Sequence, residues 1–205
     1  MARSREFDLE KVTEAAMKLF WARGYMATSL PDLLETMGIA RSSFYATFGT
    51  KRELFVECLV LFGDRTREQL VLDSQHLPAV SLPRAFFEST LIHAPNERVK
   101  RGCMLVNSVL ELADVEPELN RQAWQKLDAI QTVFERSFRV AQERAEMATT
   151  QSPKELAQRV MTINLGLRVH ARQQKSAEQM QRLIDNSLAM IGLTARLQEG
   201  VQYDV

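Results

Sequence analysis

Apolar residues recur at spacings of three and four through almost the whole chain, and that periodicity restricts it to helices. Val12, Ala15, Ala16, Leu19 and Phe20 make one stripe, and Leu30, Leu33, Leu34 and Met37 a shorter one. Leu54, Phe55, Cys58, Leu59 and Phe62 open a third; Leu127, Ile130, Phe134, Phe138 and Ala141 make a fourth. No segment sustains the apolar-polar alternation of a half-buried strand, so no sheet is expected. Four pairs have the spacing of capping boxes: Ser29 with Asp32, Thr50 with Glu53, Ser152 with Glu155, and Ser176 with Gln179. Breaks fall at Gly24, Gly38, Gly49, Pro78, Ala94-Pro95-Asn96 and Gln151. The pattern predicts an all-α fold of about nine helices, over roughly 8–23, 30–37, 41–47, 51–74, 81–93, 102–113, 117–147, 153–173 and 177–197. The expected division is a head over 1–50 and a helical body over 51–205, with the long helix from Lys51 between them.

A chain of 205 residues can bury a real core. No apolar run approaches the ~20 residues of a membrane span, and Met1 to Arg5 lacks a signal-peptide core, so a cytoplasmic protein without membrane contact is expected. Cys58 and Cys103 lie far apart, and His76, His93 and His170 do not cluster, so neither a metal site nor a cofactor is implied. The net charge is +0, but residues 1–52 hold eight Lys/Arg against six Asp/Glu. A mildly basic first quarter on a balanced chain suits a selective reader of nucleic acid better than an indiscriminate binder.

The stretch from Ser29 to Phe48 gives that reader a shape. Two short helices flank a tight turn, and Gly38 supplies the left-handed residue a sharp helix exit needs. Ile39 is expected to plug the space between the helices, with Phe44 and Phe48 facing the core. The outward residues of the second helix are then Arg41, Ser42, Ser43, Tyr45 and Thr47, a small polar surface suited to a major groove ~12 Å wide. Arg41 can pair with guanine or phosphate, and Ser42 and Ser43 allow close approach to base edges. Tyr45, Thr47 and Lys51 are placed for phosphates, Lys51 at a helix start that itself favours anions, and Thr28 can meet phosphate from the other side. Arg3 and Arg5 read equally well as a minor-groove arm or as a basic terminus.

Phe20-x-x-x-Gly24-Tyr25-x-x-Thr28-Ser29, followed by Gly38-Ile39-x-x-x-x-Phe44-Tyr45-x-x-Phe48-x-x-Lys51-x-x-Leu54-Phe55, resembles the N-terminal signature of the tetracycline-repressor-like (TetR) family. The resemblance covers about the first quarter of the chain. It implies a dimeric transcription regulator, more often a repressor, that binds a palindromic double-stranded operator and is released by a small effector. It also implies DNA contacts at Thr28, Arg41, Ser42, Ser43, Tyr45, Thr47 and Lys51. Two residues depart from the pattern: Leu34 stands where the family usually has alanine, and Ala40 where a Ser or Thr often caps the recognition helix.

The body is expected to hold an effector pocket and a dimer interface. Polar or aromatic residues that periodicity turns inward are the pocket candidates: Phe86, Phe87, His93, Cys103, Met104, Asn107, Leu110, Trp124, Leu127, Asn164 and Arg168. His93, beside a Pro-Asn turn, reads better as a surface or capping histidine. Leu156, Val160, Ile163 and Leu167 stripe one late helix, and Met180, Leu183, Ile184, Ser187, Leu188 and Ile191 the other. Paired across a two-fold axis, these would form a four-helix bundle. The alternative is ordinary core within one chain.

Arg101-Gly-Cys-Met-Leu-Val-Asn107 resembles a segment found in one subset of the family. Cys103 falls at a helix start beside Arg98, Lys100 and Arg101, a setting that can favour a thiolate sensing oxidants or electrophiles. The plainer reading is a small buried residue. Two further readings belong to other classes. An enzyme would need chemistry that no Gly-rich phosphate loop, metal cluster or nucleophile elbow supplies. A helical interaction module without DNA affinity would leave Arg41-Ser42-Ser43-Phe44-Tyr45 unexplained.

Overall fold

The computed structural model describes residues 7–147, 149–173 and 175–193. Among them are ten helices and no strand: α1 (Leu9–Arg23), α2 (Leu30–Met37), α3 (Arg41–Phe48), α4 (Lys51–His76), α5 (Leu82–Leu91), α6 (Asn96–Arg101), α7 (Met104–Leu112), α8 (Pro117–Glu143), α9 (Pro153–Ala171) and α10 (Ala177–Ala189). The nine expected helices are present. The tenth, α6, is mostly charged and has no apolar stripe to announce it. Its Glu97 in the first turn and Arg98, Lys100 and Arg101 in the last suit the helix dipole. α8 stops at Glu143 rather than 147, and Ala145 takes a left-handed φ of 56°. α10 ends at Ala189; the expected continuation over 194–197 lies outside the described residues, as do Arg3 and Arg5.

The helix starts are set by side chains that satisfy otherwise unpaired N–H groups. Asp8 accepts from Glu10 N and Lys11 N at 3.1 and 3.3 Å. Reciprocal capping boxes open α2 at Ser29/Asp32, α9 at Ser152/Glu155 and α10 at Ser176/Gln179. The fourth pair differs. Thr50 N–H already donates to Phe48 O at 2.9 Å, so the Glu53 carboxylate accepts from the Thr50 hydroxyl at 2.8 Å instead.

The described residues divide into two compact units. The first draws on the described residues up to Arg65 and on Cys103–Leu127, so it joins the N-terminal helices to α7 and the start of α8. Its core is aromatic: Phe20 meets Phe55 edge-on at 4.9 Å, Tyr25 meets Phe55 at 4.8 Å, and Trp21 meets Phe62 at 5.0 Å. The second draws on Thr66–Gly102 and on the described residues from Asp128 onward. Phe87, Phe134, Phe138, Leu156, Val160, Ile184 and Leu188 are buried there, with Phe86 edge-on to Phe134 at 5.6 Å. No helix among the described residues is long and apolar enough to cross a membrane.

A charged group is buried in that second core. Arg84 of α5, 5% exposed, pairs with Asp185 of α10 and with Glu88 at 3.5 Å. Gln181 donates to Glu88 at 2.8 Å and to Asp185 at 3.3 Å, closing the network. A buried cation stripped of its partners is costly, and so are partners stripped of their cation. Asp185 is 37% exposed, which tempers the loss. Arg84→Ala is expected to lower the unfolding free energy by about 2 kcal/mol, read from urea titration. Arg84→Met, which keeps the packed stem, should lose no less if charge pairing dominates.

Candidate nucleic-acid interface

The turn between α2 and α3 is built by hydrogen bonds that close the end of α2. Gly38 N–H donates to Glu35 O and Ile39 N–H to Leu34 O, both at 3.3 Å, the paired pattern of a Schellman exit. Gly38 takes φ 63° and ψ 32°, and a Cβ there would meet no atom within 4 Å. Glycine is favoured here by backbone conformation, not by space. Ile39 is buried at the turn, and Phe44 and Phe48 anchor α3 at ring distances of 5.7 Å from each other. Leu34 is half-buried, and Ala40 gives α3 no side-chain cap. The first-turn N–H groups of α3 are therefore open to an outside acceptor such as a phosphate.

With Phe44 and Phe48 inward, Arg41, Ser42 and Tyr45 are exposed, Tyr45 by 51%, and Ser43 and Thr47 half-buried. Lys51 is half-buried, its ammonium 4.2 Å from the centroid of the Tyr25 ring. Burial pushes its pKa down, and the charges of Glu111 and Glu116 oppose that. Thr28, expected to meet a phosphate, lies at the turn between α1 and α2. Its side chain is fully buried and its hydroxyl donates to Gly24 O at 2.6 Å, so it serves the turn between α1 and α2. Arg23 at the end of α1 reaches Asp32 in the first turn of α2 at 2.9 Å and sets the two helices together.

Sequence reasoning missed Glu111. Its carboxylate accepts from Tyr25 N at 3.1 Å and Met26 N at 2.8 Å, across more than eighty residues. Nearby, Arg52 and Glu116 lie 3.6 Å apart. No local pattern signals such a contact, because an acidic residue on a helix reads as a solvated face.

The expected effector residues divide between the units. Cys103, Met104, Asn107, Leu110, Trp124 and Leu127 fall in the first, Phe86, Asn164 and Arg168 in the second. Leu110 and Trp124 do not face inward: they are 71% and 42% exposed. Leu105, Ser108 and Leu112 take the inward arc of α7, which turns Leu110 away. In the second unit Asn164 is buried and its Oδ1 accepts from Arg168 Nε at 3.2 Å, while the Arg168 guanidinium stands 5.9 Å from the Phe86 centroid. His93 is exposed.

Cys103 is 6% exposed, and a sensing thiolate needs access that such a position denies. Cys58 is fully buried, which pushes its thiol far up, and its Sγ donates to Thr13 O at 3.8 Å. Among the described residues no three His, Cys, Asp or Glu are grouped to hold a metal ion.

On the late helices, Leu156, Val160, Leu167, Met180, Ile184, Leu188 and Ile191 are buried by the chain's own packing. Ile163, Leu183 and Ser187 are only half-buried. With Gly166, His170 and the 84%-exposed Met190 they line an open groove of about 290 Å³ between α9 and α10.

Residues 12–58 match the family model for bacterial regulatory proteins of the tetR family, and residues 81–186 match the tetracyclin repressor-like C-terminal domain. The second match alone spans more than half of the chain. The chain belongs to the TetR family. Among its relatives is YezE of Bacillus subtilis (strain 168), an uncharacterised HTH-type transcriptional regulator, 29% identical over 93% of this chain and 100% of that one. The HTH-type transcriptional repressor ComR of Escherichia coli (strain K12) is 28% identical over 92% of this chain and 90% of its own. A cysteine mutant of the TetR family regulator CifR, solved with 26-bp double-strand operator DNA, superposes with a TM-score of 0.82 at 25% identity, covering 92% of this chain and 98% of that one. This TetR protein is a transcription regulator whose head carries the motif that names those relatives.

Asp32 offers a test of the motif's internal bracing. The Ser29 hydroxyl first, then the Ser29 N–H and Arg23, hold its carboxyl below the ordinary 3.8. A depressed folded pKa adds stability that is complete above the unfolded value and vanishes as pH falls through the folded one. Asp32→Asn should therefore lower the melting temperature at neutral pH, and the gap from wild type should close as pH falls below the ordinary carboxylate value and through the lowered folded one. A gap unchanged in acid would mean the carboxylate charge is not what braces the turn.

Proposed function

We propose that this protein is a homodimeric, ligand-responsive repressor that sets α3 of each subunit into the major groove of a palindromic operator. The observation that carries this is the division of α3: Phe44 and Phe48 are buried, while Arg41, Ser42 and Tyr45 remain exposed at an uncapped helix start. Arg41 is the base reader, Ser42 and Ser43 permit close approach, and Tyr45, Thr47 and Lys51 hold phosphates. The functional head is residues 1–50, with effector binding and pairing assigned to 51–205. The operator complex of CifR supports the DNA assignment, since that protein is similar over nearly the whole chain. The reading needs no catalytic step, and it places the protein with the chromosome, in the cytoplasm.

Pairing is assigned to the groove lined by Ile163, Leu183, Ser187 and Met190 rather than to the buried residues of the same stripes. Two heads must stand about 34–36 Å apart to read successive major-groove faces, which a two-fold dimer provides. Met190→Glu, on an 84%-exposed side chain, should weaken dimerisation without unfolding the monomer. Sedimentation should show the dimer dissociating at higher concentration than wild type, with operator affinity falling in parallel.

DNA binding is tested by fluorescence anisotropy on genomic duplexes selected by the protein, over a salt series and against scrambled DNA. Log affinity should fall linearly with log salt. Arg41→Ala should lose roughly 1–3 kcal/mol of discrimination between operator and scrambled duplex. Lys51→Ala should weaken both alike and reduce the salt slope by about one. Equal wild-type binding to operator and scrambled DNA would refute the regulator reading.

A further inference from the structure

The turn between α1 and α2 is held from outside the helix-turn-helix. Residues 24–28 belong to no helix, so their N–H groups need partners from elsewhere. The Glu111 carboxylate, carried on α7, accepts from two consecutive ones, Tyr25 N and Met26 N. Hydrogen bonds to an ionised acceptor are about twice as strong as neutral ones. The approach depends on Gly24, which has φ 86°; a Cβ there would lie 2.7 Å from both Glu111 oxygens. On the far side of the turn the Thr28 hydroxyl donates to Gly24 O. The turn is therefore closed at its amides by Glu111 and at its carbonyl by Thr28.

What the turn carries is the DNA-facing surface. Tyr25 is buried, its ring 4.8 Å from Phe55, and the Lys51 ammonium stands 4.2 Å over it. Ser29, the next residue after Thr28, caps α2. The placement of Glu111 has a cost for affinity: a carboxylate beside a phosphate-binding lysine repels the same phosphates. Its value must therefore lie in geometry.

We propose that Glu111 is a positioning residue for operator binding, its carboxylate fixing the α1–α2 turn and, through Ser29 at the end of that turn, the start of α2 in the helix-turn-helix. It touches no DNA itself. The inference rests on the operator-binding reading above.

The test compares wild type, Glu111→Ala and Glu111→Gln on the selected operator duplex and on scrambled DNA, well below each protein's melting temperature. Glu111→Ala should lose operator affinity by about tenfold or more, with scrambled DNA bound as well as before or better, since a repelling charge has gone. Glu111→Gln, which keeps one acceptor oxygen, should fall between. Amide exchange at Tyr25 and Met26 should quicken in the same order. A purely stabilising Glu111 would lower the melting temperature and leave the operator-to-scrambled ratio within twofold of wild type; that result overturns the proposal. Tighter binding of both duplexes by both variants also overturns it, because it would make Glu111 only a brake on charge. If wild type selects no duplex over a scrambled pool, the operator-binding reading and this inference fall together; if wild type selects one and the variants match it, only this inference does.

Discussion

The left-handed exit at Gly38 is the constraint on which the reading surface depends. Two 3.3 Å hydrogen bonds close α2 there, and the chain leaves in the one direction that buries Ile39 and starts α3 three residues later. Once that direction is fixed, burial of Phe44 and Phe48 leaves one rotational setting for α3. Arg41, Ser42 and Tyr45 are exposed because the phenylalanines are not. A residue with a Cβ at Gly38 would meet no clash, but would have to hold a backbone conformation that costs L-residues about 1–2 kcal/mol. The reading face is thus fixed by a backbone choice made outside it.

Most of the fold was legible because helical periodicity and capping chemistry are local. Three of the four expected capping boxes close reciprocally, and the fourth fails for a local reason, the prior use of Thr50 N–H by Phe48 O. α6 escaped because its six residues, four of them charged, offer neither stripe nor box. The head's outward residues were legible too, since two buried aromatics four apart define the opposite arc. The placement of Thr28 was not legible, because its hydroxyl has a choice that sequence does not reveal. It can serve a phosphate or the carbonyl four residues back, and it takes the carbonyl.

Contacts between distant segments were not legible. Glu111 and the Arg84 network both join residues more than eighty positions apart, and in each a charged side chain that reads as surface is turned inward. The late helices show the complementary limit. Their apolar stripes are wide, and periodicity gives a stripe's direction but not how much of it the chain covers itself. Leu156, Val160, Ile184 and Leu188 are consumed internally, which leaves the stripe's edge at Ile163, Leu183 and Met190.

The first compact unit changes how the DNA-reading head should be understood. The helix-turn-helix signature ends near Phe55, yet the unit that contains it takes in α7 and the start of α8. Lys126 of α8 pairs with Asp64 of α4 at 3.1 Å, and Arg65 reaches back to Glu10 and Glu14 of α1 at 3.3 and 3.4 Å. Exposed pairs of this kind contribute little stability singly. The aromatic contacts of Phe20, Tyr25 and Phe55 supply the packing, and the Glu111 bonds then select one register of the turn within it. Packing is tolerant of small slides; a carboxylate seated on two amides beside a glycine is not. Such an arrangement suits a surface that must match DNA spacing closely, because the head's geometry is set by a directional contact laid over a non-directional core.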